Sequence, residues 1–298
     1  MTRRPLGSTG LLALALTIAF AGGARAGDEG TSLGTSHGLN YRVSQADDFM
    51  GTGFNSFVSC VGDDVAVAGG VEISGTGLQG RMGSSQPEPK PGGFSHGALD
   101  WRSAAQHLTQ PQTDIGFYAV CKKSGKSGLK YRTRTRSIKP AAERTVKAAC
   151  PDGYQVIGGG LLSADPSVLA TVPYDSGDAN AKQDDGWKVR AVSDYPLKTD
   201  LTTFAVCLES GAWDLAYEDG GANHNIFVDP NSTLLFERLC DSGDSVIGGG
   251  GEMLGPATNG RIHESYPGGI VPEDGWSVGL TNLTASTATG RAYAICRR

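Results

Sequence analysis

The sequence predicts an all-β protein made of three tandem repeats of about 90 residues, and three observations predict it. Cys60, Cys150 and Cys240 are 90 residues apart and open the related segments CVGDDVAVAGG, CPDGYQVIGGG and CDSGDSVIGGG. Trp101, Trp187 and Trp276 each lie 20 residues before a second cysteine, and Cys121, Cys207 and Cys296 close the tetrapeptides YAVC, FAVC and YAIC. Between these landmarks the apolar residues alternate with period two in short runs bounded by Gly, Pro, Asp and Ser, as strands require. A fixed period of this length marks a repeat architecture. Two arrangements fit: a pseudo-threefold, β-prism-like body, or three small β-sandwiches in a row, each with one disulfide per repeat.

Residues 1–26 read as a secretory signal peptide. Arg3 and Arg4 precede the apolar run LLALALTIAFAGG, and Ala24-Arg25-Ala26 offers small residues for cleavage before Gly27. The run is too short for a stable membrane span, and no other stretch approaches that length. The expected compartment is therefore extracellular, or periplasmic or cell-surface if the envelope retains the protein. Removing three arginines leaves 23 Lys and Arg against 31 Asp and Glu, a net charge of −8. Residues 27–38 (GDEGTSLGTSHG) read as a flexible lead-in. The units then span about 39–126, 127–212 and 213–298, each entered through a tyrosine: LNYRVSQ, LKYRTRT and, more loosely, DLAYEDG.

Six cysteines in an exported chain predict three disulfides. If the units fold alike, each pairs its own two cysteines: Cys60–Cys121, Cys150–Cys207 and Cys240–Cys296. A metal role is disfavoured, because none forms a CxxC pair. Within each unit, runs such as YQVIGGGLL, VLATVPYD, GWKVRAVSD and LTTFAVCL make five or six strands. Residues 141–149 (AAERTVKAA) have helical propensity, but their alignment with FNSFVSC and LLFERLC predicts a strand. Ala68-Gly69-Gly70, Gly158-Gly159-Gly160 and Gly248-Gly249-Gly250 read as corners where equivalent strands approach closely. A phosphate-cradling loop would need a following helix and a GK[ST] sequence, and neither follows these triplets. The repeated tryptophans read as core residues opening a strand, with a sugar-stacking platform as the alternative. Proline in Ser85-Gln86-Pro87, Thr171-Val172-Pro173 and Ser265-Tyr266-Pro267 is expected to end an edge strand.

In a triplicated scaffold, chemistry belongs where one copy departs from the others. The five histidines (His37, His96, His107, His224, His263) share no metal-ligand spacing and do not recur. The acidic pairs Asp63-Asp64, Asp184-Asp185 and Glu273-Asp274 read as turn residues. A calcium site at Asp241 and Asp244 lacks the EF-hand ligand pattern. No catalytic residue, metal or cofactor is assigned. The clearest asymmetry is charge: residues 122–147 carry ten Lys and Arg and one acid. On a strand, Lys130, Arg132, Arg134 and Arg136 share one face. They read either as charge protecting an open edge or as an anion-binding surface for a glycan or cell-envelope polymer. Trp213, outside the repeat pattern, and Tyr217 could together stack on a sugar ring. Three function classes follow: a secreted binding module for such a polymer with no specific nucleic-acid partner, an extracellular hydrolase with a site grafted on one repeat, or a structural coat protein.

Overall fold

The computed structural model describes residues 30–46, 54–74, 80–89, 97–107, 114–123, 127–163, 166–177, 182–193, 196–219, 225–255, 260–268 and 274–298. The signal segment, His96, His224 and Glu273 lie outside them.

The protein is all-β, with twenty strands and three disulfides among the described residues. An opening strand, β1 (Thr31–Ser36), precedes six strands from the first third of the chain: β2 (Leu39–Ala46), β3 (Phe54–Ser59), β4 (Val65–Ile73), β5 (Gly80–Pro89), β6 (Ala98–His107) and β7 (Ile115–Lys122). The second third supplies β8 (Leu129–Ile138), β9 (Glu143–Ala149), β10 (Tyr154–Ser163), β11 (Pro166–Tyr174), β12 (Gly186–Ser193) and β13 (Thr199–Glu209). The last third supplies β14 (Leu215–Glu218), β15 (Ile226–Val228), β16 (Ser232–Leu239), β17 (Ser245–Leu254), β18 (Gly260–Gly268), β19 (Gly275–Asn282) and β20 (Ala288–Arg297). Residues 143–149 are thus a strand, as their alignment predicts.

No sheet belongs to one third of the chain. Sheet I runs β1-β2-β7-β4-β18-β19-β16, sheet II runs β3-β6-β5-β10-β13-β8, and sheet III runs β14-β20-β17-β11-β12-β9, with β15 also on β20. Each sheet therefore joins half of one third to half of another, and the joints are short. β10 meets β5 at Leu161↔Ser85 and Leu162↔Ser84, β17 meets β11 at Gly251↔Thr171 and Glu252↔Ala170, and β4 meets β18 at Val71↔Ser265.

Side chains lock these joints in the same way three times. Trp101, Trp187 and Trp276 are buried, and their indole N–H groups donate to Ser85 Oγ (2.8 Å), Thr171 Oγ1 (2.9 Å) and Ser265 Oγ (2.8 Å). A buried indole N–H left without an acceptor would cost more than the bond is worth, so the tryptophan and the Ser/Thr of the [ST]-x-P segment form one device. The prolines do not end strands: Pro87, Pro173 and Pro267 lie opposite the three tryptophans. They are tolerated because they fall beyond the short joint, where that side of the strand needs no amide hydrogen.

The glycine triplets reflect contact rather than turning. A Cβ on Gly70, Gly160 or Gly250 would lie 1.8 Å from the carbonyl oxygen of Ser265, Ser85 or Thr171, and one on Gly69, Gly159 or Gly249 would enter a tryptophan ring. At the first position a single methyl fits among three strands. Ala68 supplies it, and a Cβ on Gly158 or Gly248 would lie 3.1 or 3.4 Å from it.

The entry tyrosines tie the thirds of the chain together. β4, β10 and β17 each carry a bulge against their neighbour, between Ala66 and Ala68, Val156 and Gly158, and Val246 and Gly248. Such a bulge interrupts the ladder and leaves a backbone group to be satisfied. Tyr131 donates to Ala66 O (2.8 Å), Tyr217 to Val156 O (2.7 Å) and Tyr41 to Val246 O (2.6 Å). Each tyrosine thus reaches the preceding third, and the first reaches the last.

The disulfides join Cys60–Cys121, Cys150–Cys207 and Cys240–Cys296. Each is local in sequence but bridges two sheets, since the first cysteine follows β3, β9 or β16 and the second lies in β7, β13 or β20. With sequence separations of 61, 57 and 56, each restricts the unfolded chain by about 4 kcal/mol in the chain-entropy description.

Residues 31–36, expected in a flexible lead-in, instead form β1, which pairs with β2. The reason is the hairpin turn at His37 and Gly38, both at positive φ (47° and 75°), a geometry that suits a tight two-residue loop. His37 Nδ1 then meets Ser245 Oγ at 2.7 Å and its carbonyl accepts from Arg297, pinning the turn to the last third.

Candidate functional site

Two places depart from the repeated plan. The first is the outer strand β8. Lys130, Arg132, Arg134 and Arg136 stand opposite Cys207, Ala205, Thr203 and Leu201 of β13, alternate positions on one face of sheet II. All four are exposed. Lys130 Nζ sits 4.0 Å over the Tyr154 ring, and among the described residues none of the four forms an ion pair with a carboxylate. Beyond the seam, Lys147 on β9 lies 4.5 Å over the Tyr174 ring. The corresponding entry strands differ: β2 is covered by β1, and β14 is only four residues long.

Trp213 and Tyr217 do not form an exposed pair. The Tyr217 hydroxyl is spent on Val156 O, and burial pushes its ionisation well above that of a free phenol. The Arg297 guanidinium covers the Trp213 ring at 4.4 Å. Cation–π contact and packing account for this tryptophan.

The second place is the β4–β18 joint of sheet I, which sequence reasoning passed over. β18 is bulged between Ile262 and Glu264, so His263 is the extra residue, where Gly83 and Leu169 occupy the matching bulges of β5 and β11. Both side chains lie over Gly279, where an added Cβ would come within 2.5 Å of His263 and 2.4 Å of Glu264. The equivalent positions opposite Ser84 and Ala170 hold Ala104 and Arg190. Glu264 and His263 are 6% and 4% exposed. Glu264 Oε2 accepts the Ile73 amide (2.8 Å), taking the place of a ladder carbonyl where β4 and β18 diverge. Its Oε1 is 3.2 Å from His263 Nε2, and His263 Nδ1 is 2.9 Å from Thr281 Oγ1.

Beside this pair, Tyr118 donates to Glu72 Oε2 at 2.5 Å and stacks on Tyr266 with ring centroids 5.1 Å apart. Gly116, opposite Glu72, leaves room for both side chains, where Thr202 and Arg291 stand in the other sheets. Burial raises the Glu72 carboxyl above its ordinary value; the Tyr118 hydrogen bond opposes this, and the charges of Glu264 and Asp114 reinforce it. Burial and the neighbouring Glu72 hold the Tyr118 phenol protonated far above its usual range. Gln45, Glu72, Ser74, Asp114, Ile115 and Gly116 line a cavity of about 250 Å³ at this end of the sheet. A carboxyl of raised pKa at a cavity wall can hold a proton and release it to a bound group.

One signal could have revealed this site: Gly116, His263, Glu264 and Gly279 differ from their counterparts in both other thirds, while Glu72 recurs as Glu252. Asp241 and Asp244 close a backbone turn, with Asp244 N donating to Asp241 O (3.0 Å). No protein-family model matches the chain, and comparison with curated proteins finds no match. Among the described residues, no helix is long and apolar enough to cross a membrane.

Proposed function

We propose that the chain is a secreted, disulfide-stapled binding module with a β-prism-like body of three repeats, and that its β8 edge recognises an acidic glycan or anionic cell-envelope polymer. The carrying observation is the row Lys130, Arg132, Arg134 and Arg136, exposed on one face of an outer strand. Alternate residues on a strand repeat every ~6.8 Å, a spacing that meets successive charges of an extended polyanion. The three disulfides and the absence of a membrane-crossing helix among the described residues are consistent with an extracellular setting. Sheets built from halves of neighbouring thirds support the closed, prism-like reading over three independent sandwiches.

The test is binding to a sulfated glycan and to a poly(glycerol phosphate) at low and physiological salt. Changing all four cations to Gln is expected to weaken binding at least roughly tenfold and to flatten its salt dependence, because fewer counterions are released. Unchanged affinity and slope would reduce the row to protection of an open edge.

A second reading, an extracellular hydrolase with a site grafted on one repeat, is favoured by one observation. In sheet I, His263 and Glu264 join the Glu72–Tyr118 pair beside a cavity, whereas sheet III repeats the tyrosine–carboxylate contact alone, Tyr293 to Glu252. It predicts hydrolysis of a glycoside or ester substrate that Glu72→Gln abolishes while the protein keeps its fold and its three disulfides.

A further inference from the structure

β16 is an outer strand of sheet I, and among the described residues its second edge pairs with no further strand. Unpaired strand edges invite pairing with another chain, and proteins protect them by shortness, bulges, charge or cover. Four of the five other outer strands follow that rule, and the fifth, β3, is a six-residue uncharged strand (FNSFVS). β1 is polar and bulged between Ser32 and Gly34, β14 has four residues, β8 carries its four cations and β9 carries Arg144 and Lys147. The strand matching β9 in the last third is β16, which reads STLLFERL. Leu235 and Leu239 are each 48% exposed, Leu234 is exposed beside them, and Phe227 on neighbouring β15 is 68% exposed. A long apolar edge left open in this fold fits a strand-shaped partner.

We infer that β16 pairs with β16 of a second copy of this chain, antiparallel about a twofold axis through Leu235. Directly opposed residues in an antiparallel pair lie on the same face, so only registers centred on a residue are symmetric. Centring on Glu237 or Arg238 sets like charges against each other. Centring on Phe236 sets Leu235 against Glu237 and Leu234 against Arg238, while centring on Leu234 sets Leu235 against Thr233 and Phe236 against Ser232. Centring on Leu235 alone matches like with like: Leu235 meets Leu235, Leu234 meets Phe236, Glu237 meets Thr233, and Arg238 meets Ser232. The strand is self-complementary in this one register, which favours a second copy over an unrelated strand. This inference stands apart from the β8 reading and survives its failure.

The experiment uses the full oxidised protein in sedimentation and in cross-linking. Wild type is expected to dimerise by about 100 µM, and Leu235→Lys to weaken dimerisation at least about tenfold while keeping its three disulfides and melting temperature. Leu235→Cys should form a disulfide-linked dimer under mild oxidation, and Glu237→Cys should not. A wild-type monomer at that concentration overturns the inference, as does dimerisation indifferent to Leu235→Lys. Equal cross-linking at 235 and 237 overturns the register.

Discussion

The β4–β18 joint of sheet I and the β10–β5 joint of sheet II share a backbone plan and differ in chemistry. Both pair next to the [ST]-x-P serine, both bury a tryptophan bonded to that serine, and both seat the serine carbonyl on the third glycine of the triplet. Outside that shared frame, sheet II places Leu162, Thr202, Phe204, Ser84 and Ala104, with Leu162 exposed. Sheet I places Glu72, Gly116, Tyr118, Glu264 and Gly279 at the same positions, with His263 in the bulge. Sheet III is intermediate: Glu252 is present, but Lys188 neutralises it at 3.1 Å. The comparison teaches that one frame carries different outer faces: in sheet I Glu72 and Glu264 each stand opposite a glycine, whereas Glu252 of sheet III stands opposite Arg291 and is held by Lys188.

Four measurements break or sharpen this contrast. The largest effect belongs to the shared frame. Gly160→Ala, which drives a methyl into Ser85 O, is expected to cost about 4 kcal/mol or more in chemical denaturation. Gly83→Ala, whose nearest neighbour would be 3.6 Å away, should cost under about 1 kcal/mol. Next comes the feature that separates the joints. Gly279→Ala displaces His263 and Glu264 and is expected to cost about 2–3 kcal/mol. Ala104→Gly, at the equivalent position of sheet II, should cost only about 0.5–1 kcal/mol, and equal losses would remove the contrast.

Third, the closing tyrosines should be interchangeable in energy. Tyr41→Phe, Tyr131→Phe and Tyr217→Phe each remove one hydroxyl-to-carbonyl bond and should each cost about 1–2 kcal/mol. A silent variant would mark an open seam. The smallest effect is the pH dependence of Glu72. Its folded pKa is raised above 4.5, so the unfolded chain releases this proton first as pH rises. Its contribution to stability is therefore greatest below 4.5, falls as pH climbs through the raised folded value, and is level beyond it. Denaturation of wild type against Glu72→Gln between acid and neutral pH should show the variant gaining relative stability as pH rises.

The all-β character, the three cysteine pairs and the buried tryptophans were legible because each rests on residue type at a fixed spacing. The cationic face of β8 was legible for the same reason: alternation on a strand is a local rule. The acidic joint was not, because Glu72 and His263 are 191 residues apart and meet only where two thirds of the chain share a sheet. The flexible reading of residues 31–36 failed similarly, since their order comes from pairing with β2 and from Ser245 and Arg297 far along the chain.

By itself, then, the sequence determined the repeat, the strand chemistry and the positions that cannot bear a side chain, because these depend on short-range sterics and period. Only the tertiary structure decided which halves share a sheet, which glycines make room for a carboxyl and which edge stays open. Those outcomes depend on contacts between segments that no local pattern brings together.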